Sequence, residues 1–257
     1  MRILVQRLAS LSAVGVLGLF AQTVPATVSL NGNQLTVKND SSSAMTALAY
    51  TISQSDSPHH WARTVFRDAI VTSVEKVIPP GAERTFMEPG HEGPGTPILE
   101  LKAAVFEDGT TFGDPQWIQV LLQRRVDFLR GLNSGLTDLQ NAAGHNMSRD
   151  AILRELAASR DATVAAISFV PVAPNSPPPV AGSQEASAQR RLLSIANMDC
   201  KERVRIVYFS LIGNITKPPT HSDGRVLTLS ETVNWLTQLL RKERDTVLHS
   251  LPAVVTQ

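Results

Sequence analysis

The hydrophobic pattern divides this chain into two parts near Asp114. Before that residue, apolar side chains alternate with polar ones over short runs that end at Gly, Pro, Asn or Asp, which is typical of β-strands. After it, apolar side chains recur every three or four residues over long runs, which is typical of amphipathic helices. The pattern therefore predicts an α+β protein with its strands first and its helices second.

A β-hairpin is predicted at the start of the strand region. Two alternating runs, 27–30 and 34–38, flank Asn31-Gly32-Asn33, and Asn-Gly between such runs is a strong hairpin signal. The apolar residues of each strand should share one face. They are Val28 and Leu30 in the first strand, and Leu35 and Val37 in the second.

Four further runs predict strands at 44–53, 74–78, 83–87 and 98–106. Pro79-Pro80-Gly81 and Asp108-Gly109 supply turns, and residues 110–112 should close a hairpin with the last of these strands. On that strand the alternation places four residues on one face: Leu99, Leu101, Ala103 and Val105. The stretch 59–72 fits either an irregular excursion or one more strand pair.

About seven short strands without helical crossovers favour an antiparallel β-sandwich over a parallel sheet. The sandwich should occupy residues 27–113. Trp117, just beyond it, is expected to seat the first helix against the sheets, and Trp235 should seat the last helix against its neighbours.

Asp114-Pro115 is an N-cap acid followed by proline at the first helical position, so a helix should begin there. Gly131 and Gly135 should kink this helix, and Gly144 should end it. A second helix should follow a Ser148 cap, which makes residues 114–168 a helical hairpin. The apolar positions of the first helix recur mostly at spacings of three and four: Trp117, Ile118, Leu121, Leu122, Phe128, Leu129, Leu132, Leu136 and Leu139.

The C-terminal third combines a Pro-rich linker, at 169–187, with a helical segment, at 188–257. Residues 185–212 contain neither Gly nor Pro, which favours one long helix ending at Gly213-Asn214, although the strand formers at 204–209 keep a strand as the alternative. Thr228 and Glu231 form a capping box for a last helix that runs to about residue 248.

Residues 1–26 have the pattern of a secretory signal peptide. Arg2 and Arg7 supply the positive start, 11–21 is a short apolar run, and Val24-Pro25-Ala26 is a small-residue cleavage site. A cut after Ala21 is the second choice, and an uncleaved anchor is the alternative. The apolar run reaches about half the 20 residues that a spanning helix needs. We expect an exported protein, periplasmic or extracellular.

Three segments of the strand region share a further pattern: LTVKNDSSSAMTALAYTI, IPPGAERTF and LELKAAVFEDGTTFGDP. An Asn turn separates two strands, a Pro-Gly corner follows, and an FxDG-type hairpin closes the sheet. Over residues 27–125 this resembles a small Ig-like β-sandwich module that recurs in uncharacterised exported bacterial proteins. The resemblance implies an Ig-like fold, and because its motifs are structural it implies no activity and no site residues.

Charge and aromatic content argue against a nucleic-acid partner. Removing residues 1–26 takes away two arginines and no acid, which changes the net charge from +1 to −1. Nucleic-acid binding needs a basic face. The aromatic content of this chain, 5%, is also low for a surface on which bases stack. Cys200 is the only cysteine, so we expect it to be buried; a bridge to another chain is the alternative.

No catalytic, cofactor or metal motif stands out, and we assign no site residue from the sequence. The six histidines lack the helical pairing that holds zinc: His59, His60, His91, His145, His221 and His249. The acids at 107–108 and 113–114 fit a hairpin turn and a helix cap better than a calcium loop. A G-x-S-x-G elbow and a phosphate-binding loop are absent from the sequence.

Two functions remain. The first is a non-catalytic binding or structural module that acts on a protein partner, with a homo-oligomer built on the amphipathic helices as one form of it. The second is a hydrolase whose site lies at the junction of sandwich and helices, using His91, Glu92, Asp108 or Asp114. We expect no cofactor and no integral membrane segment after signal removal, and the enzyme is the less favoured of the two.

Overall fold

The computed structural model describes residues 24–54, 61–72, 75–89, 97–169 and 184–252. In these ranges seven strands, which form two antiparallel sheets, precede four helices. The predicted α+β class and the order of strands and helices are therefore confirmed.

The three-stranded sheet has the order β1-β2-β5. It consists of β1 (Ala26–Asn31), β2 (Gln34–Asn39) and β5 (Glu83–Met87). Asn31 pairs with Gln34 across a two-residue turn, so the predicted hairpin is confirmed. Leu35 and Val37 of β2 are both buried, as their alternation predicts.

The four-stranded sheet has the order β4-β3-β6-β7. Its strands are β3 (Met45–Gln54), β4 (Trp61–Asp68), β6 (Ile98–Phe106) and β7 (Thr111–Gly113). In its described part, 61–72, the ambiguous stretch supplies a single strand, β4, that pairs with β3. The strand predicted at 74–78 is wrong: in its described part only Ile78 pairs, through one isolated bridge to Met45.

The predicted face of β6 is wrong beyond its midpoint. Ala103 pairs with Ala49 and Leu101 with Tyr50, so Lys102 is an extra residue that forms a bulge. A bulge reverses the alternation of side chains beyond it. Leu101 consequently faces the other sheet, whereas Ala103 faces the helices.

The bulge also places the first helix. The Asp114 backbone N–H donates to the Lys102 carbonyl at 2.8 Å. Gly113, in between, has a φ of 105°, and a Cβ on it would lie 2.1 Å from the Lys102 oxygen. Glycine is therefore the residue that lets the chain leave β7 and enter the helix at this point.

One apolar cluster lies between the two sheets. The three-stranded sheet contributes Leu35, Val37 and Phe86, and the four-stranded sheet contributes Leu48 and Phe106 among others. Because both sheets bury side chains in this shared core, they form two packed layers.

Helix α1 (Pro115–Gly144) starts and ends where the sequence predicts. Its N-cap Asp114 accepts a hydrogen bond from the Gln116 backbone N–H at 2.8 Å. The helix is continuous over 30 residues, through both Gly131 and Gly135. Gly135 instead allows close packing, because a Cβ there would lie 2.8 Å from the Leu211 side chain on α3 (Gln184–Thr216).

Helix α2 (Arg149–Ala165) has the predicted Ser148 cap. Helix α3 confirms the helical interpretation of 185–212, but two predicted bounds are wrong. It includes residues 184–187 of the predicted linker. It also continues past Gly213 and ends at Thr216. Pro218 and Pro219 follow Lys217, and a proline ring disfavours helix in the residue before it. Phe169, at the other end of that linker, is buried.

Helix α4 (Leu229–His249) has the predicted capping box between Thr228 and Glu231. Trp235 does not seat this helix: it is 39% exposed. Val233, Leu236 and Leu240 face the helical core instead. Among the described residues, no helix is both long and apolar enough to cross a membrane.

We predict that Gly113→Ala destabilises the protein strongly. The substitution forces an L-residue to a positive φ and drives its Cβ into the Lys102 carbonyl, so the loss should exceed the roughly 1–3 kcal/mol of a strained backbone alone. Urea unfolding measures the loss. Gly109→Ala is the matched control, because Gly109 has a φ of 82° with nothing within 4 Å of its added Cβ. Equal losses in the two variants would contradict this account of the bulge.

Candidate functional site

The acids singled out by the hydrolase alternative have structural roles. Asp108 is exposed, and its carboxylate accepts hydrogen bonds from the Thr110 backbone N–H and hydroxyl at 3.0 and 2.6 Å. The hydroxyl bond, followed by the backbone bond, lowers the pKa of Asp108. Asp114 caps α1. His91 and Glu92 lie outside the described residues, and the two described acids serve a turn and a cap.

The histidines within the described ranges do not converge. His145, His221 and His249 are exposed, on separate elements, whereas His59 and His60 lie outside those ranges. In the described part of the chain, no group of three or more His, Cys, Asp and Glu side chains could hold a metal ion.

Cys200 is buried, as predicted, on the inner side of α3. Burial, followed by the charge of Asp127, raises the pKa of its thiol. A thiol held in its neutral form is a poor nucleophile, so Cys200 packs as a small apolar residue.

The most deeply buried charges lie where the sandwich meets the helices. Arg125 of α1 and Asp68 at the end of β4 are 0% and 1% exposed. Arg125 Nε donates to Asp68 Oδ2 at 2.9 Å, and Arg125 Nη2 reaches Asp68 Oδ1 at 3.2 Å. This is a bidentate pair, the strongest geometry available to a guanidinium and a carboxylate.

The remaining bonds of Arg125 join two further elements. Nη2 donates to the Thr46 hydroxyl at 2.8 Å, and Nη1 donates to the Ser250 carbonyl at 2.9 Å. Arg125 therefore joins α1 to β3, to β4 and to the end of α4. We call Arg125, Asp68, Thr46 and Ser250 the junction network.

A second charged group lies one residue away. Arg124 Nε donates to Asp199 Oδ2 of α3 at 2.5 Å, and its guanidinium lies 5.2 Å from the centre of the Phe66 ring. Arg203 of α3 shares the same carboxylate at 3.4 Å. Burial lowers the pKa of Arg203. This group ties α3 to the sheet side of α1, next to the junction network.

A cleft of about 720 Å³ opens above the junction network. Its wall combines apolar, cationic and anionic side chains from the sheet loops and from α4. The apolar, charged and imidazole side chains of this lining include Ile70, Val77, Glu107, Lys242, Asp245 and His249.

The hydroxyls of this cleft are all bonded to backbone. Thr46 donates to the Val105 carbonyl at 3.1 Å, Thr246 to the Lys242 carbonyl at 3.0 Å, and Ser250 to the Val247 carbonyl at 2.7 Å. His249 Nδ1 lies 2.6 Å from the Asp245 carbonyl oxygen. A serine or threonine nucleophile needs a base within hydrogen-bond reach, and among the described residues of this cleft none of these hydroxyls is bonded to one.

A third polar cluster ties the two sheets together. Glu88, just after β5, is buried; its Oε1 accepts from the Tyr50 hydroxyl and from Arg67, both at 2.5 Å. Arg67 also bonds Glu75 at 2.7 Å and lies 4.0 Å from the Phe86 ring centre. Burial and the Glu88 bond raise the pKa of Tyr50. The cluster joins the sheets and has no accessible reactive group.

A smaller cluster joins α1, α2 and α3. The Tyr208 hydroxyl donates to Asp138 Oδ2 at 3.1 Å and lies 2.8 Å from Ser159 Oγ. Burial raises the pKa of Asp138. These three side chains therefore link the three helices by hydrogen bonds at their interface.

The sequence contains a signal for the junction network that we did not use. The apolar stripe of α1 includes Leu121, Phe128 and Leu132, and Arg125 occupies the position between them at spacings of four and three. A charge on the buried stripe of a helix requires a buried partner. The sequence does not say which acid that partner is, because Asp68 lies on a strand 57 residues away.

Comparisons of this chain with family models, with curated proteins and with solved structures found no match. The functional interpretation therefore rests on the residues and distances of the chain itself.

We predict that Arg125→Met costs about 3–5 kcal/mol of unfolding free energy, because it leaves the Asp68 carboxylate buried without its cation. Asp68→Leu should cost a similar amount, because it leaves the Arg125 guanidinium buried without its anion. The double variant Arg125→Met/Asp68→Leu should be less unstable than the sum of the single losses, since it removes both buried charges. Urea unfolding of the four proteins measures these differences.

Arg225→Met is the matched control for that series. Arg225 also makes a bidentate pair, with Glu231 at 2.8 and 2.9 Å, but on the surface. Its loss should be far smaller, because water solvates a surface carboxylate. Equal losses for Arg125→Met and Arg225→Met would contradict the structural role of the buried pair.

Proposed function

We propose that this chain is an exported, non-catalytic binding or structural module of the cell envelope or secreted fraction, and that its partner is a protein. The N-terminal pattern supports export. The antiparallel sheets, which bury a shared core, support an Ig-like sandwich as the platform.

The observation that carries this proposal is that buried charged side chains bond to other elements of the same chain. Arg125, Asp68, Glu88 and Arg67 are each bonded to partners on other elements of the same chain. Catalytic groups need a free face toward the substrate, whereas these groups hold strands and helices together. The bonding of these four groups supports a scaffold role.

The cleft above the junction network is the proposed docking place. Val77 on its wall is 39% exposed, and Lys242 and Glu107 supply charges of opposite sign. A partner segment with an apolar anchor and flanking charges of both signs would complement this lining. A hydrolase at the same place is the alternative function; the backbone bonds of Thr46, Thr246 and Ser250 argue against it.

The pairing of β1 supports one of the two candidate positions for the leader cut. Ala26 is 1% exposed and pairs with Asn39, and the Pro25 carbonyl accepts from the Asp40 N–H at 2.9 Å. A cut after Ala26 would remove both residues from the sheet. A cut after Ala21 would leave β1 whole, so we propose it over the cut after Ala26.

We predict that the exported protein begins at Gln22, as intact-mass measurement of the secreted or periplasmic fraction will show. A mass that starts at Thr27 would contradict the choice of site. Recovery of the uncleaved chain from the membrane fraction alone would contradict export as a free protein.

We predict that a photo-crosslinking amino acid at Val77 attaches to a single protein in intact cells, and that the same amino acid at Met87 does not. Met87 is the control because it is 69% exposed on β5 and does not line the cleft. Lys242→Glu should reduce the Val77 adduct, because it reverses the one lysine charge on that wall.

Two results would contradict the proposed function. The first is equal labelling from Val77 and Met87. The second is turnover of ester, peptide or glycoside substrates by the purified protein that His249→Ala abolishes without changing the unfolding midpoint, which would favour the hydrolase.

A further inference from the structure

The outer side of α3 carries an apolar surface that no element of the described chain covers. Phe209 is 82% exposed, Met198 is 64% exposed and Ile206 is 41% exposed. The opposite side of the same helix, with Cys200, Val204 and Leu211, is fully buried against the other helices. Helix α3 therefore exposes three large apolar side chains on the side that the fold leaves uncovered.

The outer side has the spacing of a coiled-coil seam. Its residues alternate at intervals of three and four over about 26 Å of helix. They are Ile195, Met198, Glu202, Arg205, Phe209 and Ile212; the two end residues are half-buried, and Ile212 also packs against the helical core. We call these six residues the outer seam. A seam this narrow and regular fits another helix better than it fits a sheet or an irregular peptide.

The charges at the centre of the outer seam select the partner and its direction. Glu202 and Arg205 are about half exposed and lie 3.4 Å apart within the chain. In a parallel pair of identical helices, each charge would face its own copy, and like charges at a seam repel. In an antiparallel pair, Glu202 of each chain would face Arg205 of the other.

The same antiparallel register matches the apolar residues. A two-fold axis midway between residues 203 and 204 places Met198 against Phe209 of the second copy, and Ile195 against Ile212. A thioether beside an aromatic ring is a favourable contact. The outer seam is thus complementary to a second copy of itself rotated by 180°, as a two-fold interface requires.

We propose that α3 forms an antiparallel two-fold dimer with a second copy of this chain through the outer seam. This pairing is independent of partner capture at the cleft, since α3 does not line that cleft. A strictly monomeric protein that still gives the Val77 adduct would contradict the dimer alone, and a dimer without that adduct would contradict the capture alone.

The first test is sedimentation equilibrium of the full chain as recovered from expressing cells. We expect a mass that approaches twice that of the chain as concentration rises. Phe209→Ser should weaken association at least tenfold, whereas Trp235→Ser, which truncates an exposed aromatic residue on α4, should leave it unchanged. A wild-type protein that stays monomeric, or equal effects of the two variants, would overturn the proposal.

Charge reversal tests the direction of pairing. Glu202→Arg and Arg205→Glu should each weaken association, and the double variant should restore it, because the opposite charges face each other again. Failure of the double variant to restore association, with its unfolding midpoint unchanged, would overturn the antiparallel register.

Disulfide formation in a mixture of two tagged cysteine variants also tests the direction of pairing. Met198→Cys in one chain should form a disulfide with Phe209→Cys in the other, while Met198→Cys alone should not, because its two copies would lie about 16 Å apart along the helix. A disulfide formed by Met198→Cys alone, with none between the two variants in the mixture, would indicate parallel pairing and overturn the proposal.

Discussion

The buried pair of Arg125 and Asp68 is the interaction on which the arrangement of sandwich and helices depends. Two opposite charges withdrawn from water are costly unless their hydrogen bonds are satisfied, and here the guanidinium also bonds Thr46 and the Ser250 carbonyl. Four elements must therefore be in place at once for the pair to form. A contact of this kind contributes less to net stability than to the choice of one arrangement over others.

Helix α1 packs in two apolar cores, one on the sheet and one among the helices. Its first half, with Trp117 and Leu121, packs on the sheet, while its second half, with Leu132 and Leu139, packs among the helices. One helix of 30 residues therefore serves both cores, and its Arg125 lines the cleft above the junction network. The outer side of α3 remains uncovered by the described chain.

Local signals were predictable from the sequence, and long-range contacts were not. The hairpin at Gly32, the caps of α1, α2 and α4, and the bounds of β5 and β6 depend on adjacent residues. The bulge at Lys102 reversed a predicted face because bulges leave little trace in the pattern. The junction network was missed because its partners are far apart in the chain, and Trp235 was misassigned because a bulky residue on an amphipathic helix need not face the core.

Native-state hydrogen exchange tests most directly whether the sandwich and the helices form one cooperative unit. If the buried pair of Arg125 and Asp68 couples them, the slowest amides of β3, β6, α1 and α3 should share one opening free energy, and Arg125→Met should lower it in all four elements together. Helical amides that exchange through a separate, lower-energy opening in the wild-type protein, while β3 and β6 stay protected, would contradict this account.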